Sequence, residues 1–274
     1  MVKDKIFKVF CSSDMVSKIL GSGLIQRCNG CWTRKGVPIY IFLLALSGLF
    51  LNSISYGAVI YISSIEELQK IGNDPGYPLD GEYELTQDID ASATRNWNSG
   101  AGFAPIGTSS NPFTGKFDGK GHKITGLYIN RGSTDYVGLF GFIGPGSEVK
   151  NVGIENCYIS GNGFVGGLVG DNWDGMVSGS YSMGVVTGSS DVGGLVGWNL
   201  GTVSGSYSAG EVTGHGRVGG LMGYNRGTVS NSYAMGSVSG LDYIGGLIGW
   251  MSGGSVTNTY STGLVGGNGV LKGG

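Results

Sequence analysis

A five-residue motif, Gly-Gly-Leu-x-Gly, occurs four times between residues 166 and 249, and its spacing constrains the fold more than any other feature of the chain. Its leucines recur at a nearly constant step: Leu168, Leu195, Leu221 and Leu247. A tyrosine between small residues keeps the same period: Tyr181, Tyr207, Tyr233 and Tyr260. A fixed period of this length is typical of solenoids, in which each repeat stacks on its neighbour.

The composition of the repeats favours strands over helices. Glycine accounts for 56 of the 274 residues, and a glycine inside a helix costs about 1 kcal/mol relative to alanine. Segments such as 202–208 alternate between apolar and small polar residues, which is the period of a half-buried strand. We therefore predict an all-β fold, a β-helix of about five coils over residues 113–265 with a period of about 26 residues. Each coil should have three short strands, with inward ladders of leucine, valine and tyrosine.

An asparagine follows three of the repeat leucines at the same offset: Asn172, Asn199 and Asn225. Stacked asparagine amides can hydrogen-bond along the axis of a solenoid and hold the backbone of a turn. We interpret this row as a structural ladder, and a row of ligands is the alternative.

The repeat unit, Gly-Gly-Leu-Val-Gly followed by Val-Ser-x-Ser-Tyr-Ser-x-Gly-x-Val-x-Gly, resembles the GLUG repeat of bacterial surface and secreted proteins. Such repeats occur in adhesin-like proteins and in non-catalytic regions of some immunoglobulin-A-specific metallopeptidases. Residues 59–165 are similar to the segment that often precedes these repeats, including the stretches at 64–68, 83–90, 105–107 and 117–124. The resemblance covers roughly residues 60–265. It implies the fold and a location at the bacterial surface, but no activity, since the repeat is not a catalytic module.

Residues 1–58 differ from the rest and have the features of a leader. Seven basic residues precede an apolar run at 39–51, and small residues follow at 53–58, which is the pattern of a secretory signal. The run is shorter than the roughly 20 residues of a spanning helix. We expect cleavage near residues 55–58, and an uncleaved N-terminal anchor is the alternative. Within the leader, Cys28 and Cys31 have CxxC spacing, but without a second pair this is a weak metal or redox signal.

Two further segments flank the repeats. Residues 59–112 are predicted to cap the open N-terminal end of the β-helix, with a short helix through Ile71 that begins at a capping box of Ser63 or Ser64 with Glu66 or Glu67. Residues 266–274 form an incomplete coil or tail. The pattern stops there, so we expect either a fragment of a longer protein or a tail that lies over the open end.

Little in the chain predicts chemistry. The net charge of −2 provides no basic surface for nucleic acid. There is no HExxH motif, His122 falls in a structural turn and His215 in a variable corner. Five acids of the repeats are candidates for a catalytic pair, but they are expected in different corners: Asp171, Asp174, Asp191, Glu211 and Asp242. We therefore predict no enzyme activity, no cofactor and no metal site, and the single repeat cysteine, Cys157, is expected to be a buried hydrophobe.

Four aromatic residues follow the last glycine of the motif by one or three positions, and we expect them to point outward: Trp173, Trp198, Tyr224 and Trp250. Such a row could stack against sugar rings, or it could shield the glycine-rich corners from water. The sequence thus favours an exported, non-enzymatic surface stalk or adhesin-like module whose partners are glycans or surface proteins. The alternatives are a carbohydrate-active enzyme and a non-catalytic region of a larger surface peptidase.

Overall fold

The computed structural model describes residues 26–28, 31–33, 58–267 and 272–273, and the chain divides into two compact units at residues 56 and 57. In the first unit, β1 (Gln26–Cys28) and β2 (Cys31–Thr33) pair antiparallel, with Cys28 opposite Cys31. The predicted apolar run, cleavage site and remaining leader lie outside the described residues.

The second unit is a β-solenoid, which confirms the predicted fold class. Its strands stack in parallel, turn upon turn, into four sheets that run along the axis. The first sheet contains β3 (Ile60–Ile62), β4 (Glu82–Leu85), β6 (Lys116–Asp118), β10 (Glu148–Lys150), β14 (Met176–Ser178), β18 (Thr202–Ser204), β23 (Thr228–Ser230) and β28 (Ser255–Thr257). The second contains β5 (Ile89–Asp90), β7 (Lys123–Thr125), β8 (Tyr128–Asn130), β11 (Gly153–Ser160), β15 (Tyr181–Thr187), β19 (Tyr207–Ser208), β20 (Glu211–Thr213), β24 (Tyr233–Ala234), β25 (Val238–Gly240), β29 (Tyr260–Ser261) and β30 (Val265–Gly267).

The third and fourth sheets meet at the repeat motif. The first glycine of the motif ends a strand of the third sheet, and its last two residues begin a strand of the fourth. The third sheet contains β12 (Gly163–Gly166), β16 (Ser190–Gly193), β21 (Gly216–Gly219), β26 (Asp242–Gly245) and β31 (Lys272–Gly273). The fourth contains β9 (Phe140–Ile143), β13 (Val169–Asn172), β17 (Val196–Asn199), β22 (Met222–Asn225) and β27 (Ile248–Met251). A repeat therefore contributes five short strands to four sheets, not the three strands that we predicted. The second sheet receives two of them, and the motif leucine sits at a bend between the strands of the third and fourth sheets.

The solenoid has about eight turns, more than the predicted five. The first sheet includes β3 and β4, so residues 59–112 contribute stacked turns of their own. In the early turns the positions in register are Ile60, Tyr83, Phe117 and Val149, and the steps between them along the chain are uneven. The row becomes nearly regular only after Val149, where it continues through Val177, Val203 and Val229. Insertions in the early corners hide the period from the sequence.

The first turn also carries the predicted short helix, α1 (Ile65–Lys70). Its N-cap Ser64 accepts a hydrogen bond from the amide of Glu67, and the Glu67 carboxylate accepts one from the amide of Ser63 at 2.8 Å, so the capping box is confirmed. Ile65 and Leu68 are buried against the first turns. Two 3-10 helices, Ser92–Asn96 and Asn98–Gly100, occupy the long corner that follows β5.

The inward ladders consist of leucine and valine, but the tyrosines that we expected to point inward do not. Tyr181, Tyr207, Tyr233 and Tyr260 lie on the outside, with ring centroids 4.9, 4.9 and 5.0 Å apart and nearly parallel planes. The small residues on either side of Tyr181, Tyr207 and Tyr233, serine or alanine, are buried instead. The coil is too narrow there for a ring, since a Cβ on Gly194 would lie 2.0 Å from the Ser208 hydroxyl oxygen.

The asparagine ladder forms as predicted. Asn172 donates to the Asn199 amide oxygen at 2.8 Å, and Asn199 donates to that of Asn225 at 2.7 Å. All three side chains are buried. Asn172 also accepts a bond from the amide of Gly175 at 2.9 Å, so the ladder holds the backbone of the turn, as the structural interpretation requires.

Candidate functional site

Three of the four predicted aromatics share one row on the fourth sheet. The in-register residues of this row are Phe142, Asp171, Trp198, Tyr224 and Trp250. Trp173 lies outside it, just past Asp171 in the chain. Its ring instead stacks on Phe142, with centroids 6.4 Å apart. One aspartate therefore interrupts a row that is otherwise aromatic.

A second row runs beside the first, at the corner that ends the third sheet. The register of the flanking strands aligns Tyr136, Phe164, Asp191, Arg217 and Tyr243. All five have positive φ, between 49° and 61°, a conformation that residues other than glycine and asparagine seldom adopt. We call the two rows, together with the Trp173 ring that stacks on Phe142, the aromatic ribbon.

The last glycine of the repeat motif makes this corner possible. A Cβ on Gly197 would lie 2.5 Å from the backbone nitrogen of Val165 and 2.6 Å from the backbone carbon of Phe164. The same contact recurs one turn later, where a Cβ on Gly223 would lie 2.3 Å from the carbonyl carbon of Asp191. Because the left-handed corner packs directly on the glycine, the motif that defines the repeat also positions the ribbon.

The rings of the ribbon pack on one another between and within the rows. Tyr136 stacks on Phe164 at 4.8 Å, Phe164 meets Trp198 edge-on at 5.3 Å, and Trp198 stacks on Tyr224 at 3.7 Å. At the far end Tyr243 contacts Trp250 edge-on at 4.6 Å. These contacts cover the glycine-rich corner, which agrees with the shielding interpretation of the aromatic row.

Ring exposure differs along the ribbon. The side chains of Trp173 and Trp250 are 50% and 38% exposed, whereas Tyr224 is only 9% exposed. Trp198 is half-buried. The ribbon therefore offers ring surface mainly at its two ends, with a packed centre between them.

The centre of the ribbon contains an ion pair. The Nη2 atom of Arg217 lies 2.8 Å from Oδ2 of Asp191, and its guanidinium sits 5.3 Å from the ring centroid of Trp198 and 5.6 Å from that of Tyr224. Asp191 is 1% exposed, and its Oδ1 has no hydrogen-bond partner. Burial raises the pKa of Asp191 to about 6, although Arg217 and Ser190 both act to lower it.

Asp171 is buried without any partner. It is 4% exposed, its Oδ1 atom is fully enclosed, and neither oxygen accepts a hydrogen bond or forms an ion pair within the described residues. Burial raises the pKa of Asp171 to about 7, and the nearby charge of Asp191 adds to the shift. A carboxyl group in this setting is a candidate for binding or for proton transfer.

Our expectation that the repeat acids stay apart was wrong for Asp171 and Asp191. They belong to different sheets and differ in their offset from the repeat leucines, so the sequence pattern does not align them. The left-handed corner folds one row against the other and brings the two carboxyl groups within electrostatic range. The other three candidates, Asp174, Glu211 and Asp242, are exposed, and no hydrogen bond or ion pair joins them to this pair.

The remaining sequence candidates lie elsewhere. His122 contacts Asp88, with Nδ1 3.2 Å from Oδ1, and His215 is exposed in its corner. Cys157 is a buried free thiol, and burial raises its pKa to about 11. In the part of the chain that the structure describes, no three His, Cys, Asp or Glu side chains are placed to share a metal ion. None of the helices described there has the length and apolar character needed to cross a membrane.

Two proteins are similar to this chain in sequence, and one solved structure is similar to it in fold. Over 141 residues the chain is 41% identical to halomucin of Haloquadratum walsbyi, which covers 50% of this chain and 2% of that protein. Over 113 residues it is 39% identical to a protein of Evansella cellulosilytica that is provisionally named a Gly-rich membrane protein, covering 40% of this chain and 13% of that protein. No protein-family model matches the chain.

The solved structure is a Bacteroides ovatus protein provisionally named an immunoglobulin A1 protease. It superposes with a TM-score of 0.55 at 19% identity, over 76% of this chain and 77% of that one. At this identity the likeness concerns the β-solenoid alone. The chain thus spans only a small part of the length of both sequence relatives.

Proposed function

We propose that this chain is a surface-displayed β-solenoid of the GLUG-repeat kind, a non-enzymatic adhesin-like module that binds glycan chains at its aromatic ribbon. The names of the two sequence relatives, halomucin and a Gly-rich membrane protein, support a location at the cell surface. Export through the N-terminal signal is part of the proposal.

The observation that carries the binding function is the aromatic ribbon itself. Its rings repeat along the solenoid axis at the spacing of the turns, about 4.8 Å, so one extended ligand can contact several turns at once. The apolar faces of sugar rings stack on exposed indoles, and Trp173 and Trp250 each present such a surface. A linear glycan that lies along the axis fits this arrangement better than a compact ligand.

Binding of the full chain to a panel of linear polysaccharides tests the proposal, followed by affinity electrophoresis or calorimetry. We expect Trp173→Ala combined with Trp250→Ala to weaken binding at least about tenfold, because truncating an aromatic anchor at a binding surface costs more than about 1 kcal/mol. Tyr61→Ala is the matched control, since Tyr61 is 62% exposed and lies on β3, outside the ribbon. Equal loss in both variants, or wild-type binding by the double variant, would remove the ribbon from the proposal.

The buried acid pair favours one second candidate, a carbohydrate-active enzyme. Asp171 and Asp191 could serve as acid and base if a glycosidic bond reached them. Asp191 is 1% exposed and ion-paired with Arg217, which argues against its action as the second catalytic carboxyl group. Mass spectrometry of the polysaccharides after incubation separates the candidates, because shortened chains that are absent with Asp171→Asn would indicate catalysis.

A further inference from the structure

Asp171 occupies a gap in the aromatic ribbon. In the turn before it the same position is Phe142, and in the turn after it the position is Trp198. These two rings are two strand spacings apart, about 9.6 Å, whereas successive rings elsewhere in the row are one spacing apart. The short aspartate side chain lies between them, and beside it the rings of Tyr136 and Phe164 continue the aromatic contacts from Phe142 to Trp198.

The negative charge in this gap also lacks a partner of opposite charge. The titratable or charged groups around Asp171 are Asp191, which is already paired with Arg217, and the phenol of Tyr136. The guanidinium pairs with Asp191, so Asp171 has no cation of its own, and each carboxylate retains an oxygen, Oδ1, that has no hydrogen-bond donor. A buried carboxylate that lacks a partner favours a cation or a donor supplied from outside.

We infer that Asp171 and the rings around it bind an ammonium group of a ligand, and that the glycan is one with free amino groups, a polymer of unacetylated amino sugars. This inference rests on the proposed function, because it names the substrate class of the same ribbon.

The surroundings of Asp171 match ammonium chemistry in two ways. A cation at the level of Asp171 lies one strand spacing, about 4.8 Å, from the strands that carry Phe142 and Trp198, and cation–π attraction acts over about 6 Å. The rings of Tyr136 and Phe164 stack on each other at 4.8 Å, and Tyr136 also contacts the Phe142 ring at 5.5 Å, so further ring surface lies beside this position. The carboxylate of Asp171 supplies the opposite charge at the floor of the gap, through the oxygen that is not enclosed.

The experiment compares two oligosaccharides of equal length on the full chain by calorimetry. One is a glucosamine tetrasaccharide whose amines are trimethylated, so that its charge does not change with pH, and the other is the N-acetylated tetrasaccharide. We expect the cationic probe to bind wild type at least tenfold more tightly at pH 8. This preference should shrink at pH 5.5, where Asp171 becomes protonated, and should disappear in Asp171→Asn. Asp174→Asn, which removes a nearby exposed acid, should behave as wild type.

The outcomes are distinguishable. A preference of at least tenfold that Asp171→Asn abolishes supports the inference. Equal binding of both probes, or a preference that survives in Asp171→Asn, overturns the inference and leaves the ribbon as a binder of neutral glycans. Binding of neither probe overturns the inference, and failure across the wider polysaccharide panel also removes the proposed function. Thermal unfolding of each variant checks that it is folded.

Discussion

Replacing Asp171 by asparagine should make the protein more stable at neutral pH, because the wild-type carboxyl group is buried without a partner. Its pKa rises from an ordinary 3.8 to about 7 on folding, chiefly through burial. One pH unit of pKa difference corresponds to about 1.36 kcal/mol, so the ionised group destabilises the fold by up to about 4 kcal/mol. An asparagine amide with no partner costs about 1–3 kcal/mol, which leaves a net gain of about 1–3 kcal/mol at pH 8.

The stability difference between Asp171→Asn and wild type should depend on pH. Below pH 3.8 the carboxyl is protonated in both the folded and the unfolded chain, so it carries no penalty. Between pH 3.8 and about 7 the unfolded chain releases the proton while the folded chain keeps it, so the free energy of unfolding falls as pH rises. Asp191, whose pKa rises to about 6, contributes in the same direction over a narrower range. Asp171→Asn should therefore be no more stable than wild type at pH 4 and clearly more stable at pH 8.

Urea unfolding followed by tryptophan fluorescence, at pH 4, 5.5, 7 and 8, measures this change directly. Solenoids can lose turns in stages, so the unfolding midpoint is compared as well as the extrapolated free energy. Asp174→Asn controls for the removal of one negative charge at the same edge. A wild type that gains stability from pH 5.5 to pH 8, or a constant difference between wild type and Asp171→Asn at every pH, would refute the reasoning.

Two further substitutions test the packing of the coil. Gly194→Ala should cost about 1–3 kcal/mol, because its Cβ would lie 2.0 Å from the Ser208 hydroxyl, while Gly216→Ala, with nothing within 4 Å, should be nearly neutral in thermal melts. Asn199→Ala should cost about 2–4 kcal/mol by urea unfolding, because it leaves a buried donor on one side of the ladder and a buried acceptor on the other. Asn258→Gly, at an exposed amide pair, should change the free energy of unfolding by less than about 0.5 kcal/mol, and an equal cost at both asparagines would contradict the ladder argument.

The sequence predicted the parts of this fold that repeat with a fixed offset. The leucine step, the asparagine ladder and the strand period all follow from spacing, and the structure agrees with them. The early turns were not predicted, because insertions in the corners lengthen the steps from Tyr83 to Phe117 and from Phe117 to Val149. The predicted orientation of the tyrosines was wrong for a different reason. Alternation gives two faces but not which one is inside, and the choice depends on Gly194 and its equivalents at the bend between the third and fourth sheets.

The candidate site was predictable only in part. Counting from the repeat leucine places Trp198, Tyr224 and Trp250 in one row, and the same count places Asp191 and Arg217 at one corner. The contact between row and corner depends on a run of left-handed residues. The residue types in that run do not predict it, since tyrosine, phenylalanine and arginine disfavour positive φ and aspartate adopts it only occasionally. The sequence pattern therefore predicts each of the two rows, but it does not predict that their side chains contact each other.

Asp171 breaks the repeat and also destabilises the fold. An aromatic residue fills its place in the neighbouring turns, and a ring there would complete the stack and remove an unpaired carboxyl. Residues that lower stability without structural return tend to lie where a protein binds or reacts. Asp171→Tyr separates the two explanations. If Asp171 is only a defect of the repeat, completing the row raises stability and leaves glycan binding unchanged. If it is the anion of an ammonium site, the same substitution raises stability and abolishes the preference for the cationic probe.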